Sequence, residues 1–239
     1  MTRVGTVVAL YRYPVKSTAG QTLDVAEVDR RGLVHDRTWA LYTGDGRLGS
    51  GKTSRRFRRV EGLLGWRSSV SDEPGGDRPW LRAPDGERHR AGDPSTDAAL
   101  ATAFGQPLAL RAEASASHHD DCGVHLVTSS SLRRARDLAG ADVDARRLRP
   151  NLVLQTDGDG FLEDGWEGLE LALGPDVVLR VGPGMPRCVM VDQDHRDVGP
   201  AAPLLRTLGR EHDLLLGAKA EVVTGGTLRL GDEVHLRRA

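Results

Sequence analysis

Glu170-Leu-Ala-Leu-Gly-Pro-Asp-Val-Val-Leu-Arg-Val181 holds two short apolar runs, Glu170 to Leu173 and Val177 to Val181, parted by Gly174-Pro175-Asp176. Runs this short, rich in Val and Leu and bounded by turn-forming residues, read as β-strands. The same punctuation recurs at Val4 to Tyr13, Arg37 to Thr43, Asn151 to Gln155, Lys219 to Val223 and Glu233 to Leu236. The chain is therefore expected to be mainly β. Asp45-Gly46 reads as a two-residue hairpin turn, because both positions tolerate positive φ. Gly225-Gly226 and Gly231-Asp232 close the chain on a small meander. Helices are few. Asp97 to Phe104 follows a Ser-Thr cap and stops at Gly105. Ser131 to Ala139 puts Leu132, Ala135, Leu138 and Ala139 on one face before Gly140, and Ala202 to His212 carries Leu204, Leu205 and Leu208. Ser71 to Asp93, rich in Pro, Gly, Asp and Arg, reads as a loop or irregular hairpin. The small, polar stretch Ala112 to Asp121 is taken as the boundary between a first unit, residues 1–115, and a second, residues 116–239.

A chain of 239 residues buries a proper core without staples. With 33 basic against 34 acidic residues and a net charge of −1, it gives no electrostatic case for a nucleic acid or an anionic membrane as partner. All but three of the basic residues are Arg, the exceptions being Lys16, Lys52 and Lys219. No apolar stretch nears the ~18 residues of a membrane span, and no signal-peptide cleavage site is evident. The two cysteines, Cys122 and Cys188, form no C-x-x-C and supply too few ligands for a zinc or iron–sulfur site. A reducing cytoplasm is the expected setting.

Gly46-Arg-Leu-Gly-Ser-Gly51-Lys52-Thr53 satisfies the phosphate-loop pattern in full, and the run Phe57, Val60, Leu63, Leu64 permits the helix such a loop needs. Its first glycine, however, belongs to a hairpin turn in a β-rich region, so the reading is a polar β-loop. Tyr13-Pro-Val-Lys16-Ser17 offers an ammonium and a hydroxyl to an oxyanion, or is a solvated strand end. Asp36 is placed to orient Arg37, whose fork suits a phosphate, or the two form a structural ion pair. His118-His-Asp-Asp-Cys122 contains metal-ligand types too close in sequence to converge, and reads as a polar linker. Glu163 and Asp164, being adjacent, point apart and read as capping or ion-pairing groups. The four tryptophans supply packing area. Cys188 follows Arg187, a cation that favours the thiolate. Residue type alone favours the alternative, a buried, inert cysteine.

The ordered set Tyr13-Pro-Val-Lys-Ser17, Gly32-Leu-x-x-Asp36-Arg37-x-Trp39, Val124-His-Leu-Val-Thr-Ser-Ser-Ser-Leu132, Arg149-Pro-Asn151, Glu163-Asp-x-Trp166, Arg187-Cys188 and Gly226-Thr-Leu-x-Leu-Gly231-Asp232-x-Val234 resembles the MOSC family, named after the C-terminal part of molybdenum cofactor sulfurases, across nearly the whole chain. The resemblance implies an α+β, β-barrel-rich fold: an N-terminal β-barrel subdomain over residues 1–115 and the MOSC domain over 116–239. It further implies a cleft for the molybdenum cofactor, a pterin dithiolene with a phosphate. Cys188 would ligate molybdenum through its thiolate, as suits a soft donor. Lys16, Ser17 and Arg37 would contact pterin or phosphate from one side. Thr128, Ser129, Arg149 and Asn151 would do so from the other, the first two near a helix N-terminus. Lys52 is added as an extrapolation. The chain is expected to lack the pyridoxal-phosphate domain of the sulfurases, an appended ferredoxin, and the N-terminal membrane anchor of the mitochondrial relatives. The reading is a molybdenum-dependent reductase of N-hydroxylated or N-oxide small molecules, fed by a separate ferredoxin, flavin or cytochrome-type donor. The alternative is a carrier of persulfide sulfur or of the cofactor itself.

Overall fold

The computed structural model describes residues 1–71, 76–199 and 203–238. Seven strands close into a barrel in the order Leu152–Gln155, Val124–Thr128, Leu215–Thr224, Val177–Pro186, Glu170–Leu173, Glu233–Arg237 and Thr2–Arg12, and the last pairs back onto the first. All pairings are antiparallel except that of Val124–Thr128 with Leu152–Gln155, which are parallel and linked through helix α2 (Ser129–Ala139). The fold is mostly β, as the short punctuated runs predict. Strand alternation sends Val124, Leu126, Leu152, Leu154, Leu171, Leu173, Val177, Leu179, Val181, Ala218 and Ala220 into one interior with Val7 and Leu10. Val127, Val153 and Leu216 face outward, where α2, helix α3 (Leu204–Glu211) and the turn at Val191 cover them.

A cut after residue 115 divides the chain in sequence, but in space the first strand completes the second unit's barrel. Thr6 to Leu10 faces Gln155 to Leu152, across a register shift between Val7 and Ala9. The seam requires Gly5, because a Cβ there would overlap the Gln155 carbonyl. Leu23, Ala26, Val28 and Leu33 of the first unit also join the barrel interior, and other residues of that unit pack a separate core of Val15, Leu41, Val60, Leu63, Trp66, Leu81, Leu100 and Leu110. Strands Leu108–Ala112, Trp39–Thr43, Leu48–Ser50 and Phe57–Arg59 and helix α1 (Pro94–Phe104) surround it.

The helix boundaries follow their caps. α1 starts behind Asp93 with Pro94 in its first turn and ends at Gly105 in the left-handed region. α2 begins two residues before the expected Ser131, because the Thr128 side chain accepts the Ser131 amide. Of the third helix, expected from Ala202, Ala202 itself lies outside the described residues, as do 72–75 of the Ser71 to Asp93 stretch. Within that stretch Trp80–Arg82 and Arg88–Arg90 form an irregular hairpin.

One local expectation is corrected. The Asp45-Gly46 turn spans Gly44 to Arg47 rather than two residues, and only Gly46 has positive φ. The segment after Lys52 is not helical: Phe57–Arg59 pairs in parallel with Leu48–Ser50, so the glycines do not open a phosphate-binding helix.

Candidate functional site

A cavity of about 360 Å³ opens between the first unit and one end of the barrel. One wall is Lys16, Ser17, Arg37, Ser50, Lys52 and Phe57; the other includes Asp120, Cys122, His125, Arg147, Arg149, Asn151 and Cys188. Six of its side chains are cationic and two, Asp120 and Asp121, anionic, in a chain that carries −1 overall. Such a concentration of one sign raises the local concentration of anions.

The backbone is bent to present these groups. Ser17 (φ 64°), Arg37 (φ 53°) and Arg149 (φ 55°) all sit in the left-handed region, which side chains other than glycine avoid. Three such residues on one cavity mark a site where surrounding structure imposes the conformation. Tyr13 underlies two of them. Its ring lies 4.9 Å from the Arg37 guanidinium and 4.2 Å from that of Arg149. Its hydroxyl donates to the Pro150 carbonyl (3.1 Å), and its amide donates to Asp36 Oδ1 (2.7 Å). The Asp36 carboxylate, fully buried, pairs with Arg37. Burial opposes the Arg37 charge, yet Asp36 outweighs it and raises the pKa.

Arg149 differs. Burial and the nearby Arg37 push its pKa down to about 10. Nη1 donates to the Thr18 carbonyl, and Nη2 is buried with no partner. A buried guanidinium N–H without an acceptor is costly, so this donor calls for a negatively charged or carbonyl-bearing ligand. Lys16 is sunk under Asp120 and the His118 carbonyl, to which it donates at 2.8 Å. Burial, opposed by Asp120, lowers the Lys16 pKa to about 8. Lys52 approaches the same Asp120 carboxylate at 3.2 Å, and both ammoniums lie about 5 Å from the centre of the Phe57 ring.

On the barrel side His125 and Arg187 form the floor. Arg187 donates to the carbonyls of Leu148 (2.9 Å) and Leu216 (2.8 Å), and its Nη2 lies 2.5 Å from His125 Nε2. Burial first, then Arg187, drives the His125 pKa well below its ordinary value, so its ring is a neutral acceptor. Cys188 follows on the rim, partly exposed, and starts a single helical turn at Val189–Asp192.

Of the residues that sequence singled out, Lys16, Ser17, Arg37, Arg149, Asn151, Cys188 and Lys52 all line the cavity. Asn151 is already committed to backbone: Oδ1 accepts the His125 amide (3.1 Å) and Nδ2 donates to the Tyr11 carbonyl (3.2 Å). Thr128 and Ser129 do not reach the cavity and are a correction. They lie at the other end of the strand that begins beside His125, about 10 Å along it at ~3.3 Å per residue. The anion position at the α2 N-terminus is filled by the chain's own Glu163, whose Oε2 accepts from Thr128 (2.6 Å) and Ser131 (2.5 Å). Ser129 Oγ is spent on Thr156. Reading His118 to Cys122 as a polar linker is also corrected. His118 and His119 are buried, Asp120 bridges two lysines, and Cys122 lines the cavity with Cys188. The Cys122 thiol donates to the Val124 carbonyl (3.1 Å), and burial pushes its pKa up. Sequence reasoning passed over Asp120, His125 and Arg147. Only the ligand-rich character of 118–122 signalled the first, and nothing local signalled the others.

Fold and cavity together define a MOSC protein. The MOSC domain profile matches residues 113–235 and the MOSC N-terminal beta barrel domain profile residues 4–71, so the chain belongs to the MOSC family. It is 25% identical over 285 aligned positions to mitochondrial amidoxime reducing component 2 of Bos taurus, covering 98% of this chain and 83% of that protein. Among solved structures it resembles the YUAD protein from Bacillus subtilis, with a TM-score of 0.54 at 12% identity over 99% of this chain and 97% of that one. That likeness concerns the fold.

Proposed function

We propose that this cavity holds a molybdenum–pterin cofactor, ligated by Cys188, and that the protein reduces N-hydroxylated or N-oxide small molecules with electrons from a separate carrier protein. The observation that carries the reading is the unpartnered, buried Arg149 Nη2 in the same cavity as Lys16, Ser17, Arg37 and a partly exposed thiol. This donor set suits a dianionic phosphate joined to a polar ring system. Among the described residues no group of three or more His, Cys, Asp or Glu is placed to hold a metal ion. A metal beside Cys188 would therefore take its other ligands from an organic group, and one soft thiolate is the chain's contribution.

In this reading the residues divide the work by charge. Lys16, Ser17, Arg37 and Arg149 would bind the phosphate end, with Lys52 beside them. Asp36 and Tyr13 orient the two arginines, so little order is lost when an anion arrives. His125, kept neutral, holds Arg187, whose backbone contacts fix the start of the Cys188 turn. The cofactor, when bound, supplies the two-electron chemistry that replaces an N–OH by N–H with release of water. The 25% identity to an amidoxime-reducing component favours the reductase over a sulfur carrier.

The test uses the full chain from a host that makes the cofactor, reduced viologen as donor and an amidoxime as substrate. Viologen oxidation matched by amidine formation is expected, and both are expected to vanish in Cys188→Ala. Cofactor-loaded protein that leaves amidoximes and hydroxylamines untouched would refute the reductase assignment.

A further inference from the structure

In the phosphate-loop-like stretch Gly46 to Thr53, Ser50 and Lys52 line the cavity, and Gly51 between them lies against the ends of two side chains from a distant segment. A Cβ on Gly51 would overlap both Gln193 Oε1 and Met190 Sδ. These two residues belong to the strap that runs from Cys188 to Gly199, and Gln193 Nε2 donates to the Gly51 carbonyl at 2.6 Å. The strap begins on the barrel and is held there by Arg147, which is buried and donates to the carbonyls of Gln193 (2.9 Å), Val191 (3.4 Å) and Gly199. It then crosses to the first unit. The Arg196 amide donates to the Leu64 carbonyl (3.1 Å), and the Arg196 guanidinium donates to those of Gly65 (3.2 Å) and Ala83 (2.8 Å). Inside the strap, the buried His195 donates from Nε2 to the Met190 carbonyl (3.0 Å). Cys188, Met190 and Val191, at its start, line the cavity.

We infer that Gly51 and Gln193 are positioning residues: they latch the strap to the first unit beside the cavity and so set how far its wall at Cys188 and Met190 stands from Lys16, Ser17 and Lys52. Arg147 holds the Gln193 carbonyl from the barrel while the Gln193 side chain reaches Gly51, and Arg196, three residues on, ties the strap to the first unit a second time. Lys52 is the next residue after Gly51, so the bond links the segment bearing a cavity cation directly to the segment bearing the thiol. The bare glycine lets the Gln193 and Met190 side chains approach, and a Cβ there would push them aside. The latch acts on cavity width whatever group Cys188 serves, so it stands or falls apart from the cofactor reading.

The test is made on the full chain purified from a strain unable to make the cofactor. The rate at which Cys188 reacts with a fluorescein maleimide, a reagent bulky beside the ~360 Å³ cavity, is followed by mass spectrometry. Gln193→Ala is expected to accelerate labelling about fivefold, the population change that follows loss of one net hydrogen bond. Gly51→Ala, which ejects the Gln193 side chain, is expected to do the same. The double variant should add little to either, because both substitutions break one interaction. Urea stability should fall by no more than the roughly 1 kcal/mol that the one bond contributes. An unchanged rate in Gln193→Ala overturns the inference, as do additive effects in the double variant. Acceleration accompanied by a urea stability loss well beyond about 1 kcal/mol does so too, since it would make both residues structural only. If Gly51→Ala fails to fold, the Gln193→Ala rate still decides.

Discussion

Acid is expected to unfold this protein at an unusually high pH, because its interior keeps histidines neutral. His118 is buried against Tyr42, its Nε2 2.9 Å from the hydroxyl and its Nδ1 without a partner; burial first, opposed by Glu113 and aided by Lys16 and Arg31, lowers its pKa to about 4. His195 is lowered to about 4 as well, chiefly by burial, while its bond to the Met190 carbonyl works the other way. Each ionises near 6.5 when unfolded. A histidine whose folded pKa is depressed gives up stability as pH falls from the unfolded value to the folded one, because only the unfolded chain takes up the proton. From 6.5 to about 4, at ~1.4 kcal/mol per pH unit, that is ~3 kcal/mol for each histidine. The pair removes ~6 kcal/mol from a total of about 5–15 kcal/mol typical of a domain. His119 and His125 are lowered too and add to the loss, while Glu163, whose pKa burial raises, opposes it with one group. The assay is urea unfolding followed by circular dichroism from pH 7 to 4.5. The free energy is expected to fall by ~2–3 kcal/mol per pH unit near pH 5, two protons' worth. His195→Gln keeps a donor for Met190 and cannot titrate, so it should remove about half of that slope. Stability independent of pH between 6.5 and 5, or a His195→Gln slope equal to wild type, would refute the reasoning.

Two substitutions probe the barrel itself. Glu163→Gln keeps a donor and an acceptor toward Thr128 and Ser131; because burial raises the folded carboxyl pKa, wild type gives up stability as pH rises above the unfolded value, so the variant is expected to show a smaller loss over that rise in urea unfolding, and an identical pH dependence would refute it. Gly5→Ala drives a Cβ into the Gln155 carbonyl at the seam that closes the barrel, and a loss of more than about 3 kcal/mol in the same assay is expected, whereas a near-neutral effect would place the strain elsewhere.

The sequence made the strands and helix caps legible because they are set locally. Gly105 and Gly140 stop α1 and α2 where a left-handed residue must follow, and Val177 to Val181 alternates as a strand must. Barrel closure was not legible. Thr2–Arg12 pairs with Leu152–Gln155 across the whole first unit, and no local pattern specifies a partner so distant. The site was read through motif order, and the residues on loops next to the cavity were found that way. Thr128 and Ser129 show where such reading fails. A helix N-terminus was recognised, but Glu163 fills it from a separate turn. His118 failed for the matching reason, since a polar stretch looks solvated until the fold closes over it. Gly51, read as part of a polar β-loop, gave no hint of its neighbours Gln193 and Met190, which lie far off in sequence.

The central claim is that Cys188 holds molybdenum in the cationic cavity, and metal and pterin analysis tests it most directly. The full chain and Cys188→Ala are made in a host that synthesises the cofactor, purified in parallel, and assayed for molybdenum and for pterin released on denaturation. One molybdenum and one pterin per wild-type chain, with molybdenum lost from Cys188→Ala, is the predicted result. Wild-type protein free of both, carrying instead a cyanide-labile sulfur on Cys188, would contradict it and make the chain a sulfur carrier.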